Sequence, residues 1–524
     1  MKTCLIESTK ISRRSFLQAL GALTLSGSLA ACGGTGKAKS DRLAAGSLAY
    51  TPDEVVTVEF SDGGITVSPE DAAGLAVEGT ALSVSGAGVY VLSGRCADGS
   101  VKVEAQTEDV VLLLDGLTLT SADTAPIVCG ESTGVTIAVV DGTENTLTDS
   151  EANDPDNAAN NENAEKAVVK CKDGSQVVLC GGGALTVNAR GKNGIKSGTA
   201  LDDRDASLTI RELTLNIEAL VNDAINAEQR LKVESGNLTI AAGEDAIHCD
   251  MELNIGAEGT TGPAITVSTC CEGLEGAVLN IHSGNMDITS TDDCLNAANS
   301  DLGDYAFEIN ISGGTIKAYS SEGDGFDSNG TLTITGGDIS VWTASTADNQ
   351  PLDADGRITI SGGTVLAAGG SAGMGFSISA SQPYVTFGGG RDSSLSLAGG
   401  EAFSIADESG KSVLDSTALC DAAFLFYSSP ALTAEGRYTV QSTVTATAKT
   451  GEADTQFGGN GGPGGSGGQR PDGMTPPDGA PSDGQMPQGQ PPQSDGTTPP
   501  ELPAASSNWE KPRSNCNPRA GMIQ

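Results

Sequence analysis

Through the middle of the chain one short pattern returns six times, and its spacing limits the folds available. The pattern ends in an acidic or amide residue, a small residue and an apolar residue. It reads Lys192-Asn193-Gly194-Ile195, Asn222-Asp223-Ala224-Ile225, Glu244-Asp245-Ala246-Ile247, Cys271-Glu272-Gly273-Leu274, Asp292-Asp293-Cys294-Leu295 and Gly323-Asp324-Gly325-Phe326. The apolar residues lie at 195, 225, 247, 274, 295 and 326, so the intervals are 30, 22, 27, 21 and 31 residues. Intervals in the twenties and low thirties are a solenoid signature, one layer per repeat.

Two further strand-like segments fill each interval. Leu238-Thr239-Ile240, Leu279-Asn280-Ile281, Ile309-Asn310-Ile311, Leu332-Thr333-Ile334 and Ile358-Thr359-Ile360 recur beside Gly-Gly or Ser-Gly turns. Alternating segments such as Thr315–Ala318 and Asp338–Val341 follow them. Alternation with period two gives each strand one inward and one outward face. Three short strands per repeat predict an all-β chain, a right-handed parallel β-helix. One coil cannot bury its apolar face alone, so coils must stack. A β-sandwich would not repeat an acidic residue two positions before an apolar one, and a calcium-binding roll of nine-residue repeats has too short a period.

This reading divides the chain. Residues 51–190 form N-terminal β coils and a cap, 191–380 the regular helix with its acidic motif, and 381–455 a C-terminal β cap. From 456 to 524 the chain is rich in Gly, Pro, Gln and Ser with almost no apolar residues, a composition of disorder. The polar run 150–165 is an excursion from a coil. The stretch from Asp154 has the length of an EF-hand loop but carries Ala159 where that loop needs glycine, so it is rejected.

Composition narrows the chemistry. There are 29 basic and 68 acidic residues, a net charge of −39, which repels nucleic acid. The two histidines, His248 and His282, argue against His-based zinc sites and His-dependent triads. No Cys-x-x-Cys pair occurs, and buried thiols and disulfides both remain open for the ten cysteines beyond Cys4 and Cys32.

The acids recur in register. Taking the acidic position of the motif as i, the residues there are Asn193, Asp223, Asp245, Glu272, Asp293 and Asp324. At i+3 stand Lys196, Asn226, His248, Glu275, Asn296 and Asp327. The apolar residue at i+2 points inward, so i+3 is expected to point outward along an edge. Equivalent positions in stacked strands lie about 4.8 Å apart. Carboxylates at that separation repel unless a cation lies between them, and calcium takes 6–8 oxygen ligands. The candidate ligands are Asp223, Asn226, Asp245, Glu272, Glu275, Asp292, Asp293, Asn296, Asp324 and Asp327, with Asp353 and Asp355 from a later, more loosely aligned coil. Turn chemistry also favours Asp and Asn, but it does not favour Glu272 and Glu275.

The N-terminus reads as an export signal. Ser12-Arg13-Arg14-Ser15-Phe16-Leu17 resembles a twin-arginine motif, and an apolar stretch follows to Ala31. Leu29-Ala30-Ala31-Cys32-Gly33 resembles a bacterial lipobox, which makes Cys32 the lipidation site and residues 33–50 a tether. The expected location is the cell surface, with the membrane touched only through that lipid.

Glu272-Gly273-Leu274-Glu275-Gly276, Asp292–Ala297, Gly323–Gly330, Pro351–Gly356 and Asn145-Thr146-Leu147-Thr148-Asp149 together resemble the bacterial carbohydrate-binding domain-containing proteins, over about residues 75–390. The resemblance implies calcium-dependent parallel β-helices, similar in shape to pectate lyases and associated with polygalacturonate and cellulose. Asn193 with Lys196 departs from the acidic pair of the family pattern, and Cys294 stands where glycine is usual. The function that follows is non-catalytic, calcium-dependent binding of an extracellular polysaccharide, with calcium bridging protein and sugar carboxylates. Two alternatives remain: a calcium-stabilised adhesin or scaffold without glycan binding, and a polysaccharide lyase. A lyase needs a Lys or Arg base beside the metal, and the motif offers only Lys196.

Overall fold

The computed structural model describes residues 55–158, 161–302, 305–344, 349–370, 377–389 and 395–454. The export segment, Cys32, the tether and the tail from 456 lie outside the described residues. Among the described residues the chain is all-β, as the sequence predicts, with a single 3-10 turn at Glu151–Asn153.

The strands form three parallel ladders, and each repeat contributes to all three, with Ile247–Ile255 and Leu274–Ile281 each running through the first and second as one strand. The repeated motif builds the first ladder. Ile195 pairs with Ile225, Ile225 with Ile247, Ile247 with Leu274, Leu274 with Leu295, and Leu295 with Phe326. A bridge from Phe326 to Leu352 adds one more rung. Upstream, the same ladder continues through Ala167–Cys171, Ile127–Cys129, Ser100–Val103 and Ala81–Val84. Most Leu-Thr-Ile-type segments, such as Glu308–Ile311, Thr331–Ile334 and Ile358–Ile360, build the second; Leu238-Thr239-Ile240, grouped with them by sequence, stands instead in the third, between Thr214–Ala219 and Ala264–Thr269. The third holds Asn285–Ser290, Thr315–Ser320, Asp338–Thr343 and Thr364–Gly369. The unequal intervals of the sequence are taken up in connections, such as the one between Ala297 and Glu308, and not in the strands.

Period-two alternation places the core. Ile225, Ile247, Leu274, Leu295 and Phe326 are fully buried, and they belong to one hydrophobic cluster running from Val58 to Phe426. Each such side chain contributes about 1.5–3 kcal/mol on removal from water. The small position of the motif follows the room available. A Cβ on Gly325 would sit 2.3 Å from the Pro351 carbonyl oxygen, and one on Gly273 2.3 Å from that of Cys294. Ala224, Ala246 and Cys294 occupy the same position on other rungs, so glycine is required only where neighbouring backbones crowd it.

One buried amide ties the third ladder together. Asn145 is 2% exposed; its Oδ1 accepts from the Leu117 N–H at 2.8 Å and its Nδ2 donates to Thr143 Oγ1 at 3.0 Å. Beyond the ladders, Ala402–Asp407, Ser412–Thr417, Arg437–Val440 and Val444–Thr447 form a four-stranded antiparallel sheet. Its core includes Trp342, which is fully buried, packs edge-on against Phe403 at 6.1 Å and donates its Nε1–H to Ser340 Oγ. Trp342 therefore offers no sugar-stacking face.

The cysteines take both states left open by the sequence. Eight of the described ones are buried free thiols, among them Cys129 and Cys171, which are paired in register. Cys271 is disulfide-bonded.

Candidate functional site: a sunken acidic ladder

The register of the first ladder decides which acids meet. Because Ile225, Ile247, Leu274, Leu295 and Phe326 stack, their neighbours at i+3 stack as well: Lys196, Asn226, His248, Glu275, Asn296 and Asp327 are aligned rung by rung. The Phe326–Leu352 bridge sets Asp353 as the next member of that row, and Gln350, two residues before Leu352, as the next member of the i row. A search for carboxylates passes over Gln350; its place two residues ahead of an apolar rung residue is the signal that finds it.

The ladder does not stand on an exposed edge, as the outward direction of i+3 implied. Asp223, Asp245, His248, Glu275 and Asn296 are each 6–8% exposed. Stacking at rung spacing covers each side chain with the ones before and after it. Glu272, Asp292 and Asp293 are half-buried, as are Asp324, Asp327 and Asp353 at the far end, where Asp355 is exposed.

The near end is closed by the protein's own cation. Lys196 Nζ donates to Asn226 Oδ1 at 2.8 Å and pairs with Glu228 at 2.9 Å. Asn226 Nδ2 donates to Asp223 Oδ2 at 2.7 Å, and the Asp245 N–H donates to Asp223 Oδ1 at 3.2 Å. Asp223 and Asn226, both predicted ligands, thus have partners within the chain. Arg204, Arg211 and Arg230 lie in ion pairs elsewhere, with Glu108, Glu234 and Asp205.

Two groups of ligand-type side chains come together on the remaining rungs. In the first, His248 Nδ1 lies 3.0 Å from Asp245 Oδ2 and 2.7 Å from Glu275 Oε2, and its Nε2 lies 2.7 Å from Asp250 Oδ1. In the second, one oxygen each of Asp324, Asp327 and Asp353 lies within 4.8 Å of the others. Between them sit Glu272, Asp292 and Asp293. Asn296 Nδ2 donates to Glu272 Oε2 at 3.0 Å, and Asp293 Oδ1 accepts from the Asp324 N–H at 2.7 Å.

Two buried amide oxygens on this ladder, Asn296 Oδ1 in the i+3 row and Gln350 Oε1 in the i row, have no hydrogen-bond partner. Each buried unsatisfied acceptor costs about 1–3 kcal/mol. Two on one ladder mark places where a donor or a cation belongs.

The electrostatics agree. Burial pushes Asp293 up to about 9, helped by the charges of Asp292, Asp324 and Asp327. Burial and the Glu275 charge push Glu272 up to about 8. Burial with neighbouring aspartates raises Asp324 to about 7 and Asp327 to about 6. Burial, outweighing the His248 hydrogen bond and joined by the charge of Asp223, raises Asp245 well above the usual range. Burial alone would lower the His248 imidazole, but hydrogen bonds with Asp245, Asp250 and Glu275 outweigh it and hold it high. Without a cation, this ladder holds onto protons to limit its own repulsion.

Comparison with known proteins places the chain. Residues 78–373 match the family model of the carbohydrate-binding domain-containing proteins. A carbohydrate-binding domain-containing protein of Acetivibrio thermocellus is 29% identical over 184 residues, 35% of this chain; the match spans 60% of that relative's length. A solved structure of a polysaccharide lyase-like protein from C. thermocellum, a gadolinium derivative, shares 23% identity, covering 59% of this chain and 98% of that one with a TM-score of 0.33. The family match takes in the whole acidic ladder and more than half of the sequence, and the chain belongs to the carbohydrate-binding domain-containing protein family.

Proposed function

We propose that the chain binds polysaccharide at the cell surface through calcium held at the open end of the acidic ladder, without catalysing its cleavage. In this reading the three ladders wind as a right-handed parallel β-helix, anchored outside the cell through Cys32. The carrying observation is the Asp324–Asp327–Asp353 group, three carboxylates within reach of one ion beside the unpartnered Gln350 Oε1. All four supply oxygen, the donor type calcium takes. Gln350 is 2% exposed, so its oxygen has no access to solvent as an alternative partner.

Bound there, calcium supplies positive charge that both the ladder and an acidic sugar can share. The residues do the rest. Asp324, Asp327 and Asp353 are half-buried, so they leave one side of the group open to an incoming carboxylate. The net charge of −39 repels a polyuronate elsewhere on the surface, which confines binding to cation-bearing positions. Polygalacturonate is the ligand class this chemistry fits. The lyase alternative is disfavoured by Lys196, whose ammonium is engaged by Asn226 and Glu228 at the opposite end of the row.

The burial of the upstream rungs favours a second reading, in which calcium only stiffens the ladder. Polygalacturonate retention by the purified chain, with calcium and then with chelator, separates the two. Retention only with calcium supports the glycan reading. Calcium uptake with no glycan retained under either condition leaves the scaffold, and no calcium uptake removes both.

A further inference from the structure

We infer that the upstream group Asp245–His248–Glu275 is a second metal site of different chemistry, built for a divalent first-row transition ion of the zinc type. Along the i+3 row every other member from Asn226 onward offers oxygen, and His248 alone offers a ring nitrogen. Asp245 and His248 come from one rung, and Glu275 is in register with His248 on the next. Their ligand atoms lie within 4.8 Å of one another, compact enough to surround one ion.

The orientation of the imidazole carries the inference. Nε2 lies 2.7 Å from Asp250 Oδ1. A carboxylate on the far nitrogen of a histidine is the arrangement that fixes the tautomer and aims a metal-binding imidazole. Once an ion displaces the Nδ1 proton and the other proton stays on Nε2, the ring directs the Nδ1 lone pair between the carboxylates of Asp245 and Glu275, which lie 3.0 and 2.7 Å away. In the metal-free chain the Nδ1 proton shared with the two carboxylates supplies positive charge there, and a bound ion takes its place. Imidazole nitrogen with carboxylate oxygen suits zinc and its neighbours, whereas calcium takes oxygen alone.

Asn296 adds an independent observation. It is 8% exposed, it is in register with Glu275, and its Nδ2 reaches back to Glu272 on the Glu275 rung. Its Oδ1 is nevertheless without a partner, a buried oxygen acceptor on the rung next to Glu275. The site is separate from the calcium group, which lies three rungs further along, roughly 14 Å at strand spacing. The scarcity of histidine excludes a multi-histidine zinc site but not this mixed one.

The test is equilibrium dialysis of the chelator-stripped chain against zinc in saturating calcium, read by elemental analysis, with cobalt absorption as a spectroscopic probe of nitrogen and oxygen ligation. Wild-type protein retains one equivalent of zinc, His248→Gln loses it, and Asp250→Asn binds about 10–100-fold more weakly. Asp353→Asn retains zinc and loses calcium, so failure of the two sites is distinguishable. Circular dichroism checks folding, and if His248→Gln does not fold, Asp250→Asn decides. Displacement of zinc by calcium, or wild-type zinc retention in either His248→Gln or Asp250→Asn, overturns the inference.

Discussion

Lys196 Nζ donates to Asn226 Oδ1 across one rung of the first ladder, so a fixed ammonium stands where the row passes from Lys170, in register one rung upstream, to acidic and amide side chains and His248. The pair is partly buried, and Glu228 supplies the second contact. Lys196→Met removes the charge and keeps the stem. It leaves Asn226 Oδ1 without its donor and lowers stability by about 1–2 kcal/mol, measured by urea denaturation. Calcium affinity at the far end is unchanged, because the substitution lies several rungs away.

Asp353→Asn removes one carboxylate from the open end. The substitution is close to isosteric, and it lowers calcium affinity at least tenfold in a calorimetric titration. Asp287→Asn is the control. Asp287 pairs with Lys317 on an exposed face of the third ladder, so its change leaves calcium affinity within twofold.

Stability of the metal-free chain falls as pH rises. Folded-state values near 9 for Asp293, 8 for Glu272, 7 for Asp324 and 6 for Asp327 lie above ordinary carboxylate values. Between about pH 4 and 9 the folded chain therefore binds more protons than the unfolded one, and stability declines with pH across that window. The raised His248 acts in the same direction: its contribution is present below about pH 6.5 and lost as pH climbs through its folded value. Thermal melting of chelator-treated protein gives a higher midpoint at pH 5 than at pH 8.5. Calcium reverses the order by binding the deprotonated ladder.

Asn145→Ala removes the acceptor for the buried Leu117 N–H and costs about 1–3 kcal/mol. A chemical denaturation midpoint reads it directly, and an unchanged midpoint contradicts the role assigned to this amide.

The strand register was legible in the sequence to the residue. Ile195 through Phe326 align in space as they align in the motif, although the intervals between them vary by ten residues. Apolar residues must meet inside, so length variation is pushed into connections. What was hidden is depth. Alternation tells which way a side chain leaves the strand, but not that stacked neighbours bury it, and Glu275 and His248 ended 7% and 8% exposed rather than on an open edge. Gln350 escapes a search for carboxylates because it carries no charge, although its place two residues before Leu352 marks it, and Asp250 is hidden because its role depends on which ring nitrogen it meets. Trp342 could be counted, but its burial against Phe403 depends on a sheet that is distant in sequence.

A stack of parallel strands has no intrinsic stopping point, since its last rung offers the same unpaired backbone groups as every rung before it. Here Phe424–Ser428 runs antiparallel against both Thr364–Gly369 and Ser377–Gly388, and Lys449–Asp454 runs antiparallel against the latter. Reversing direction at that point denies another copy a template to extend, so the C-terminal strands act as a terminator that keeps a sticky architecture from growing into fibres.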